Sequence, residues 1–200
     1  MDDFTPETLP DPEPVEGRDS QRAWKIFLHD IIETVVLSVV LFLIINTVSA
    51  RIRIESISMQ PTLYEDDFVF VNRLAYKLGE PGRGDIIVFR FPPDPEREPY
   101  IKRVIGLPGE TVRIENGEVY VNEIAIHEPY LKVAPVYQGV WQVPEGQLFV
   151  LGDNRNNSSD SHAWGMVPID NVIGKAEVVY LPISHWQVLN PRIAAAAEPR

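Results

Sequence analysis

The longest apolar stretch of the chain lies near its N-terminus. Residues 34–50 (TVVLSVVLFLIINTVSA) contain no charged side chain over 17 positions, which is the lower limit of length for a helix that crosses a bilayer. The helix can extend backward through Ile31 and Ile32, with Trp24 and Phe27 at the level of the headgroups. The pattern therefore predicts a juxtamembrane segment and transmembrane helix over residues 21–50.

Two other interpretations share this pattern. A buried helix of a soluble protein is disfavoured, because the chain shows no other helices that could cover a segment apolar on every side. A cleavable signal peptide is the closer alternative, since basic residues precede the stretch and Val48-Ser49-Ala50 offers small residues at its end. The apolar stretch is long for a signal peptide, which favours a retained anchor. Basic residues flank both ends, so charge favours a cytoplasmic N-terminus only slightly.

Beyond Arg51 the pattern changes to short runs of β-branched and aromatic residues separated by Gly and Pro turns. These runs are residues 68–71, 86–89, 111–114, 119–121, 148–151 and 176–180. Asn116-Gly117 stands between two of them and is typical of a two-residue hairpin turn. No strong helical period follows the anchor. The sequence predicts a β-rich domain over residues 51–190.

Composition limits the ends of the chain and the class of function. Residues 1–20 are rich in Pro and acidic side chains, so we expect a disordered tail, and residues 191–200 are expected to be a flexible tail. A net charge of -11 argues against nucleic-acid binding. The absence of cysteine excludes a thiol nucleophile, a disulfide and a thiolate metal site.

A serine and a lysine are the candidate chemical groups. Ser56 and Ser58 precede Pro61, and a serine hydroxyl needs a base to become a nucleophile. No histidine stands in a convincing Ser-His-Asp set. Lys102 lies in an apolar run beside Tyr100, and a lysine can act as a base when a dry environment lowers its pKa.

A polar loop follows the hydrophobic run that ends at Leu151. Residues 152–162 (GDNRNNSSDSH) are rich in short polar side chains. An EF-hand calcium loop would need a late Glu, which this loop lacks. Metal binding is therefore disfavoured.

Five motifs resemble those of bacterial type I signal peptidases, in the same order as in that family. They are residues 56–63 (SISMQPTL), 67–69 (DFV), 83–89 (RGDIIVF), 100–109 (YIKRVIGLPG) and 152–155 (GDNR) continuing to Asp160-Ser161. The resemblance extends from the anchor to about Leu181. It implies a mainly β fold, with an antiparallel catalytic domain behind one transmembrane helix.

The resemblance also implies roles for individual residues. Ser58 is expected to be the nucleophile and Lys102 the general base, as in a Ser-Lys form of triad chemistry. The Ser56 hydroxyl and the Ser58 backbone N–H would stabilise the oxyanion. Ser158 would orient the Lys102 amine, with Arg155 and Asp160 as supports of the site; no cofactor or metal is implied. The residues implied for substrate binding are Ile54, Met59, Leu63, Val69, Tyr100 and Ile101.

The implied function is removal of signal peptides from preproteins by cleavage after small residues (Ala-x-Ala sites), with preprotein signal peptides and the lipid bilayer as partners. The implied location is the plasma membrane or the thylakoid membrane, with one span and the catalytic domain on the periplasmic or lumenal side. One departure concerns His162, where many family members have Arg: a histidine pairs fully with Asp160 only when protonated. Asn156 and His162 together resemble the cyanobacterial and plastid versions.

Two rival functions remain. A self-cleaving repressor-type Ser-Lys protease would need a DNA-binding region, which an acidic tail and a membrane span do not provide. An anchored β-rich binding domain would explain the span and the strands, but not the three polar motifs.

Overall fold

The computed structural model describes residues 16–189 and 194–195. A single long helix, α1 (Glu16–Val48), precedes the β structure. Within it, Trp24–Leu43 is long and apolar enough to cross a membrane. Its apolar side chains, such as Leu37 and Phe42, are exposed in the structure, as expected of a helix whose surroundings are lipid.

The rest of the described chain is mainly antiparallel β structure. The strands are β1 (Ser49–Arg53), β2 (Phe68–Asn72), β3 (Ile86–Phe89), β4 (Tyr100–Gly106), β5 (Thr111–Glu115), β6 (Glu118–Val121), β7 (Ile124–His127), β8 (Gly139–Gln142), β9 (Gln147–Leu151), β10 (Val167–Pro168), β11 (Val172–Leu181), β12 (Gln187–Val188) and β13 (Ala194–Ala195). Two short helices, α2 (Ala75–Leu78) and α3 (Ser161–Trp164), lie among them. The prediction of a mainly β fold behind one apolar helix is confirmed.

The strands form two sheets. The larger has the order β1-β2-β11-β3-β4-β9-β10, with β12 paired to β11, and the smaller has the order β13-β7-β6-β5-β8. The predicted hairpin joins β5 to β6, where Asn116 (φ 52°) and Gly117 (φ 83°) both have the positive φ that such a tight turn needs.

Pairing within the larger sheet positions the polar motifs. Strand β4 pairs with β9, with Arg103 opposite Leu151, so Lys102 lies beside the loop that follows β9. Strand β1 leads directly into the turn that carries Ser58. Three segments distant in sequence therefore meet at one place.

The interior consists of three apolar clusters. The cluster beneath β1 and β2 includes Ile54, Met59, Leu63, Val69 and Ile101. A second fills the space between the two sheets' neighbouring strands and contains Val112 and Phe149. A third surrounds Phe89 and Val104. The cluster of Ile54 and Ile101 also contains Met59, the residue that follows Ser58.

The segment boundaries differ from the predicted ones at three places. Helix α1 already includes residues 16–20, because Glu16 and Arg18 are good helix formers and continue the helix backward. The helix ends at Val48, since Ser49 and Ala50 pair with β2. Within the predicted flexible tail, β13 pairs with β7. Of the disordered tail predicted over residues 1–20, residues 1–15 lie outside the described residues, as do residues 190–193 and 196–200.

Candidate active site

Ser58 and Lys102 meet in the buried part of the site. Ser58 lies in a 3-10 turn, Ile57–Met59, and Lys102 lies in β4 opposite Ile87. Lys102 Nζ is 2.8 Å from Ser58 Oγ and donates a second hydrogen bond, 3.0 Å long, to the Ile101 carbonyl. Only 7% of Ser58 and 4% of Lys102 is exposed. The geometry allows a proton to pass directly between the two side chains.

The environment of Lys102 favours its neutral form. Burial lowers the pKa of Lys102 to about 8, against the opposing charges of Asp160 and Asp153. The ring of Tyr100 lies 5.4 Å from Nζ. A lysine with a pKa near 8 has an appreciable neutral fraction at neutral pH, as a general base needs.

Ser56 lies next to the nucleophile. Its hydroxyl oxygen is 3.1 Å from Ser58 Oγ, and either hydroxyl can be the donor. The Ser56 side chain is therefore within reach of an oxygen that develops negative charge on a carbon bound to Ser58. This placement agrees with the predicted oxyanion role, which stays a prediction.

The loop after β9, residues 152–160, is hydrogen-bonded to the turn that carries Ser58. The Asn154 backbone N–H donates to the Ser58 carbonyl at 3.0 Å, and Asn154 Nδ2 donates to the Ile57 carbonyl at 3.1 Å. A Cβ added to Gly152 would lie 2.5 Å from the Ser58 carbonyl oxygen and 2.2 Å from Ser158 Oγ. Glycine is needed at 152 because the two segments approach so closely. We refer to residues 152–160 as the Gly152 loop.

Ser158 is placed at the site without the predicted contact. Its Oγ is buried and has no hydrogen-bond partner within the described part of the chain. The hydrogen bond to Lys102 Nζ that its proposed orienting role requires is not formed in this structure. A buried hydroxyl without a partner is costly, so its placement beside Gly152 and Ser58 is consistent with a polar role at the site.

Asp160, at the end of the Gly152 loop, pairs with His162 in α3. Asp160 is completely buried; its Oδ2 accepts from the Gly152 N–H at 2.9 Å, and its Oδ1 lies 2.6 Å from His162 Nδ1. The carboxylate also accepts from the His162 N–H at the start of α3. The predicted Asp160–His162 pair is present.

Arg155 is held by a residue that the sequence analysis missed. Its guanidinium donates to both carboxylate oxygens of Glu128, at 2.8 and 2.5 Å, and to the Gly152 carbonyl at 3.1 Å. The charge of Glu128 raises the pKa of Arg155 in spite of its burial. Tyr130 also donates to Glu128. Glu128 follows a short strand without any motif, so no sequence signal marks it.

A second buried ion pair, which the sequence analysis also missed, involves Arg103, the residue after Lys102. Arg103 donates to both oxygens of Asp153, at 2.8 and 2.6 Å, and to the Gly84 carbonyl at 2.9 Å. Its guanidinium lies 3.9 Å from the centre of the Tyr130 ring. A signal was available here, because Arg103 is a charge inside an apolar run and Asp153 stands in the GDNR motif.

A cleft of about 680 Å³ opens at Ser58 and Lys102. Of the six residues predicted to bind substrate, Ile54, Tyr100 and Ile101 line it. The other three, Met59, Leu63 and Val69, are completely buried in the core cluster that includes Ile54 and Ile101. They do not line the cleft in this structure, and their part in substrate binding stays a prediction. Lining residues that were not predicted include Ile52, Arg73, Glu98, Asn157 and Ile173.

A group of side chains with metal-ligand chemistry occurs outside this site. Among the described residues, His29, Asp30 and Glu33 bring three ligand atoms together on α1. All three are exposed, and such exposed groups are common without an ion. None belongs to the Ser58–Lys102 site, where the expectation of no metal stays a prediction.

Comparison with known proteins identifies the family. The profile of the family "Signal peptidase, peptidase S26" matches residues 28–181. A "Signal peptidase I" of Leptolyngbya laminosa is 44% identical over 95% of this chain and 96% of its own length. A "Probable signal peptidase I-2" of Synechocystis sp. is 44% identical over 76% of this chain and 72% of its own.

A chloroplast protein is also similar. The "Thylakoidal processing peptidase 1, chloroplastic" of Arabidopsis thaliana is 38% identical over 66% of this chain and 42% of its own length. The profile match and the extent of the cyanobacterial matches disfavour both rivals, the repressor-type protease and the binding domain. The chain therefore belongs to the signal peptidase family, peptidase S26, among type I signal peptidases of the cyanobacterial and plastid kind.

Proposed function

We propose that this chain is a membrane-anchored serine endopeptidase that removes signal peptides by Ser-Lys acyl-enzyme catalysis. Family membership establishes the coarser activity, signal peptide removal by a type I peptidase. The observation that carries the finer proposal is the 2.8 Å contact between Ser58 Oγ and Lys102 Nζ in a buried site. His162 does not offer an alternative base in this geometry, because its Nδ1 contacts the Asp160 carboxylate.

The first half of the reaction forms an acyl-enzyme. Neutral Lys102 accepts the proton of Ser58 Oγ as that oxygen bonds to the scissile carbonyl carbon. The Ser56 hydroxyl and the Ser58 backbone N–H would donate to the resulting oxyanion. The C–N bond then breaks, and Lys102 gives its proton to the leaving amine of the mature protein. Lys102 is neutral again when this half ends.

The second half releases the signal peptide. A water molecule loses a proton to Lys102 and attacks the ester carbonyl. The bond to Ser58 Oγ breaks, and Lys102 returns the proton to that oxygen. Only protons and the acyl group move, so we expect no requirement for a metal, a cofactor or nucleic acid.

The walls of the cleft support cleavage after small residues. Ile54, Tyr100 and Ile101 line the cleft beside Ser58 and Lys102, and we expect the apolar subsite that they form to prefer an alanine side chain to larger ones. Each methylene-sized difference in such a pocket is worth about 1–3 kcal/mol. An Ala-x-Ala sequence before the cut is the expected preference.

The candidate span supports a membrane-bound enzyme. Trp24–Leu43 has the length and apolar character of a transmembrane helix. The proposed topology is a single span with the catalytic domain on the periplasmic or lumenal side of the plasma membrane or the thylakoid membrane. The thylakoidal name of the Arabidopsis relative supports the second of these membranes as an alternative.

The test is preprotein cleavage by the purified full chain in detergent from pH 5 to 11. The wild-type rate should fall about tenfold per pH unit below a midpoint near 8, the pKa of Lys102. We expect no activity from Ser58→Ala or Lys102→Ala, which lack the nucleophile or the base. We also expect none from Lys102→Arg, because a guanidinium does not release its proton in this range. Lys175→Arg is the matched control, since Lys175 lies in β11 and pairs with Asp85, the residue before β3, instead of contacting Ser58. A folded Lys102→Arg variant with substantial activity would contradict the proposal.

A further inference from the structure

Tyr100 is the wall of the cleft that its own burial does not fix. It is the first residue of β4 and lines the cleft together with Ile101. The centre of its ring is 5.4 Å from Lys102 Nζ. Tyr100 is only half-buried, so its ring keeps one position only if neighbouring groups hold it there.

The ring of Phe91 is stacked on the ring of Tyr100. The two centroids are 4.5 Å apart and the planes are inclined by 15°, which is the close arrangement of a stacked aromatic pair. Phe91 is buried, with 8% of its surface exposed, and it does not itself line the cleft. An effect of Phe91 on a bound peptide therefore has to pass through a neighbouring side chain.

Phe91 is itself held by contacts from separate segments. The ring of Trp164, at the end of α3, meets it edge-on, with centroids 5.4 Å apart and planes at 88°. The Arg97 guanidinium lies 5.7 Å from the centre of the Phe91 ring. The preceding residue is fixed by its backbone, because the Arg90 N–H donates to the Asn171 carbonyl at 2.9 Å and Asn171 Nδ2 donates to the Arg90 carbonyl at 3.2 Å.

The stack of Phe91 on Tyr100 also joins a restrained loop to the core. Residues 92–99 (PPDPEREP) connect the two rings, and their prolines restrict the backbone of the loop. Phe89, which is completely buried in β3, pairs with Tyr100 across the sheet and has its ring centre 6.3 Å from that of Tyr100. The same ring is 6.1 Å from that of Trp164. The cluster thus connects the wall of the cleft to the interior.

The position of the Tyr100 ring sets the width of the apolar subsite. Ile54 and Ile101, the other two predicted residues that line the cleft, are buried in one core cluster, where close packing leaves them little freedom to move. The ring of Tyr100 is the wall that can move. Without the stack it would gain access to other rotamers, and a wider subsite would hold an alanine side chain less well while tolerating larger ones.

We propose that Phe91 is a positioning residue that determines size selectivity: its stack on Tyr100 keeps the subsite narrow enough to prefer small side chains before the cut. This inference rests on the proposed function, in which the cleft binds the residues that precede the scissile bond. Phe91 lies outside the set of six residues expected to bind substrate, and it acts on that set through one ring.

The experiment replaces Phe91 by residues without a ring and by one that keeps the ring. Phe91→Leu, Phe91→Met and Phe91→Tyr are prepared as full chains in detergent, and kcat and KM are measured for two peptides that differ only in Ala or Val before the cut. For the Leu and Met variants we expect the ratio of kcat/KM for the Ala peptide over the Val peptide to fall about three- to tenfold, mainly through KM. Phe91→Tyr should retain the wild-type ratio. If Phe91→Leu does not fold, Phe91→Met, which fills more of the volume, provides the test.

Two further variants separate positioning from a general loss of packing. Phe149→Leu removes another buried ring, which lies 5.2 Å from the ring of Trp141 in the second cluster and does not line the cleft. It should lower the melting temperature and leave the ratio unchanged. In a chain that already carries Tyr100→Leu, adding Phe91→Leu should change the ratio no further, because the two residues act as one unit.

Binding measurements separate this inference from the Ser-Lys mechanism. The same peptides are titrated into Ser58→Ala with and without Phe91→Leu, and loss of the preference for Ala would support the inference even if Lys102 is not the base. If the folded Leu and Met variants keep the wild-type ratio, or if Phe149→Leu lowers it equally, the inference is wrong whether or not the mechanism holds. A further fall when Phe91→Leu is added to Tyr100→Leu would also overturn it. Peptides that the chain neither binds nor cuts would contradict the proposed function, and the inference with it.

Discussion

At the scale of single residues, the site depends on a lysine kept where lysines are rarely found. Lys102 is buried in β4, and its amine donates to Ser58 and to a backbone carbonyl. Burial disfavours the charged form, which lowers the pKa to about 8. The same burial that favours the neutral form of the lysine therefore makes the folded state less stable while the lysine is protonated.

Lys102→Met should stabilise the fold at neutral pH. Burial lowers the pKa of Lys102 from its ordinary value of 10.5 to about 8 in the folded chain. The unfolded state therefore binds more protons between these values, and the wild-type stability rises with pH there. At about 1.4 kcal/mol per pH unit, the penalty below pH 8 is at most about 3 kcal/mol. We expect Lys102→Met to gain about 1–3 kcal/mol at pH 7, measured by urea unfolding.

This gain should shrink as the pH rises from 8 through 10.5, because both states hold a neutral lysine only above that range. The same pair of measurements on Lys175→Met provides the control, because Lys175 is partly exposed and paired with Asp85. A Lys102→Met variant less stable than the wild type at pH 7 would contradict the account of burial.

At the scale of elements, the junction of α1 and β1 decides the fate of a sequence that resembles a cleavage site. Val48-Ser49-Ala50 has small residues in the pattern that a signal peptidase cuts. The helix ends at Val48, and Ser49 and Ala50 continue in β1 opposite Asn72 and Val71. The Val48 carbonyl accepts from the Arg73 N–H at 2.9 Å. Sheet pairing, and not a continued helix, occupies this backbone.

The folded enzyme should therefore spare its own junction. A protease needs an extended substrate with free backbone groups, and Ser49 and Ala50 are already paired with β2 along one side of β1. With Ser58→Ala as the substrate and active enzyme added, we expect no new N-terminus at Arg51 under native conditions. Cleavage after Ala50 should appear once urea unfolds the substrate variant, if the sequence itself is acceptable. N-terminal sequencing detects either result, and native chains that begin at Arg51 would refute the prediction.

At the scale of the whole molecule, the chain divides into two compact units, residues 1–45 and residues 46–200. The three apolar clusters and both sheets belong to the second unit. The first contains the candidate span. The division suggests that the β domain can fold without the span, since its buried apolar surface lies within itself.

A chain shortened to residues 46–200 should fold and retain catalysis while losing membrane attachment. We expect it to cleave a short Ala-x-Ala peptide at a rate within about threefold of the rate of the full chain, since Ser58, Lys102 and the cleft lie in this unit. It should remain in the supernatant after membranes are sedimented, whereas the full chain should resist alkaline carbonate extraction.

The side of the membrane can be tested with the same full chain. In intact cells, a protease added outside the plasma membrane should reach the β domain only after the outer envelope is opened. A β domain accessible only from the cytoplasm would contradict the proposed topology, and a shortened chain that unfolds would contradict the independence of the two units.

Much of this protein is determined by its sequence at short range. The apolar stretch, the alternating runs of β2, β5 and β6, and the Asn116-Gly117 turn depend on neighbouring residues, so their patterns predict them. The motifs that contain Ser58 and Lys102 also predicted that the two would meet, through resemblance to a family. The apolar residues around Lys102 in one strand made it a candidate for burial, and the fold decided that it is buried.

Only the tertiary structure decided which distant groups pair. The contacts of Arg155 with Glu128 and of His162 with Tyr137 join separate segments, and nothing in the local pattern marks Glu128 or Tyr137. The burial of Met59 beneath the cleft depends on how β1, β2 and β4 stack over one core. Helix α1 ends at Val48 because the residues that follow it pair with β2 and form strand β1. The physical reason is that pairing and burial depend on groups brought together by the fold, whereas periodicity and turn preference depend on residues adjacent in the chain.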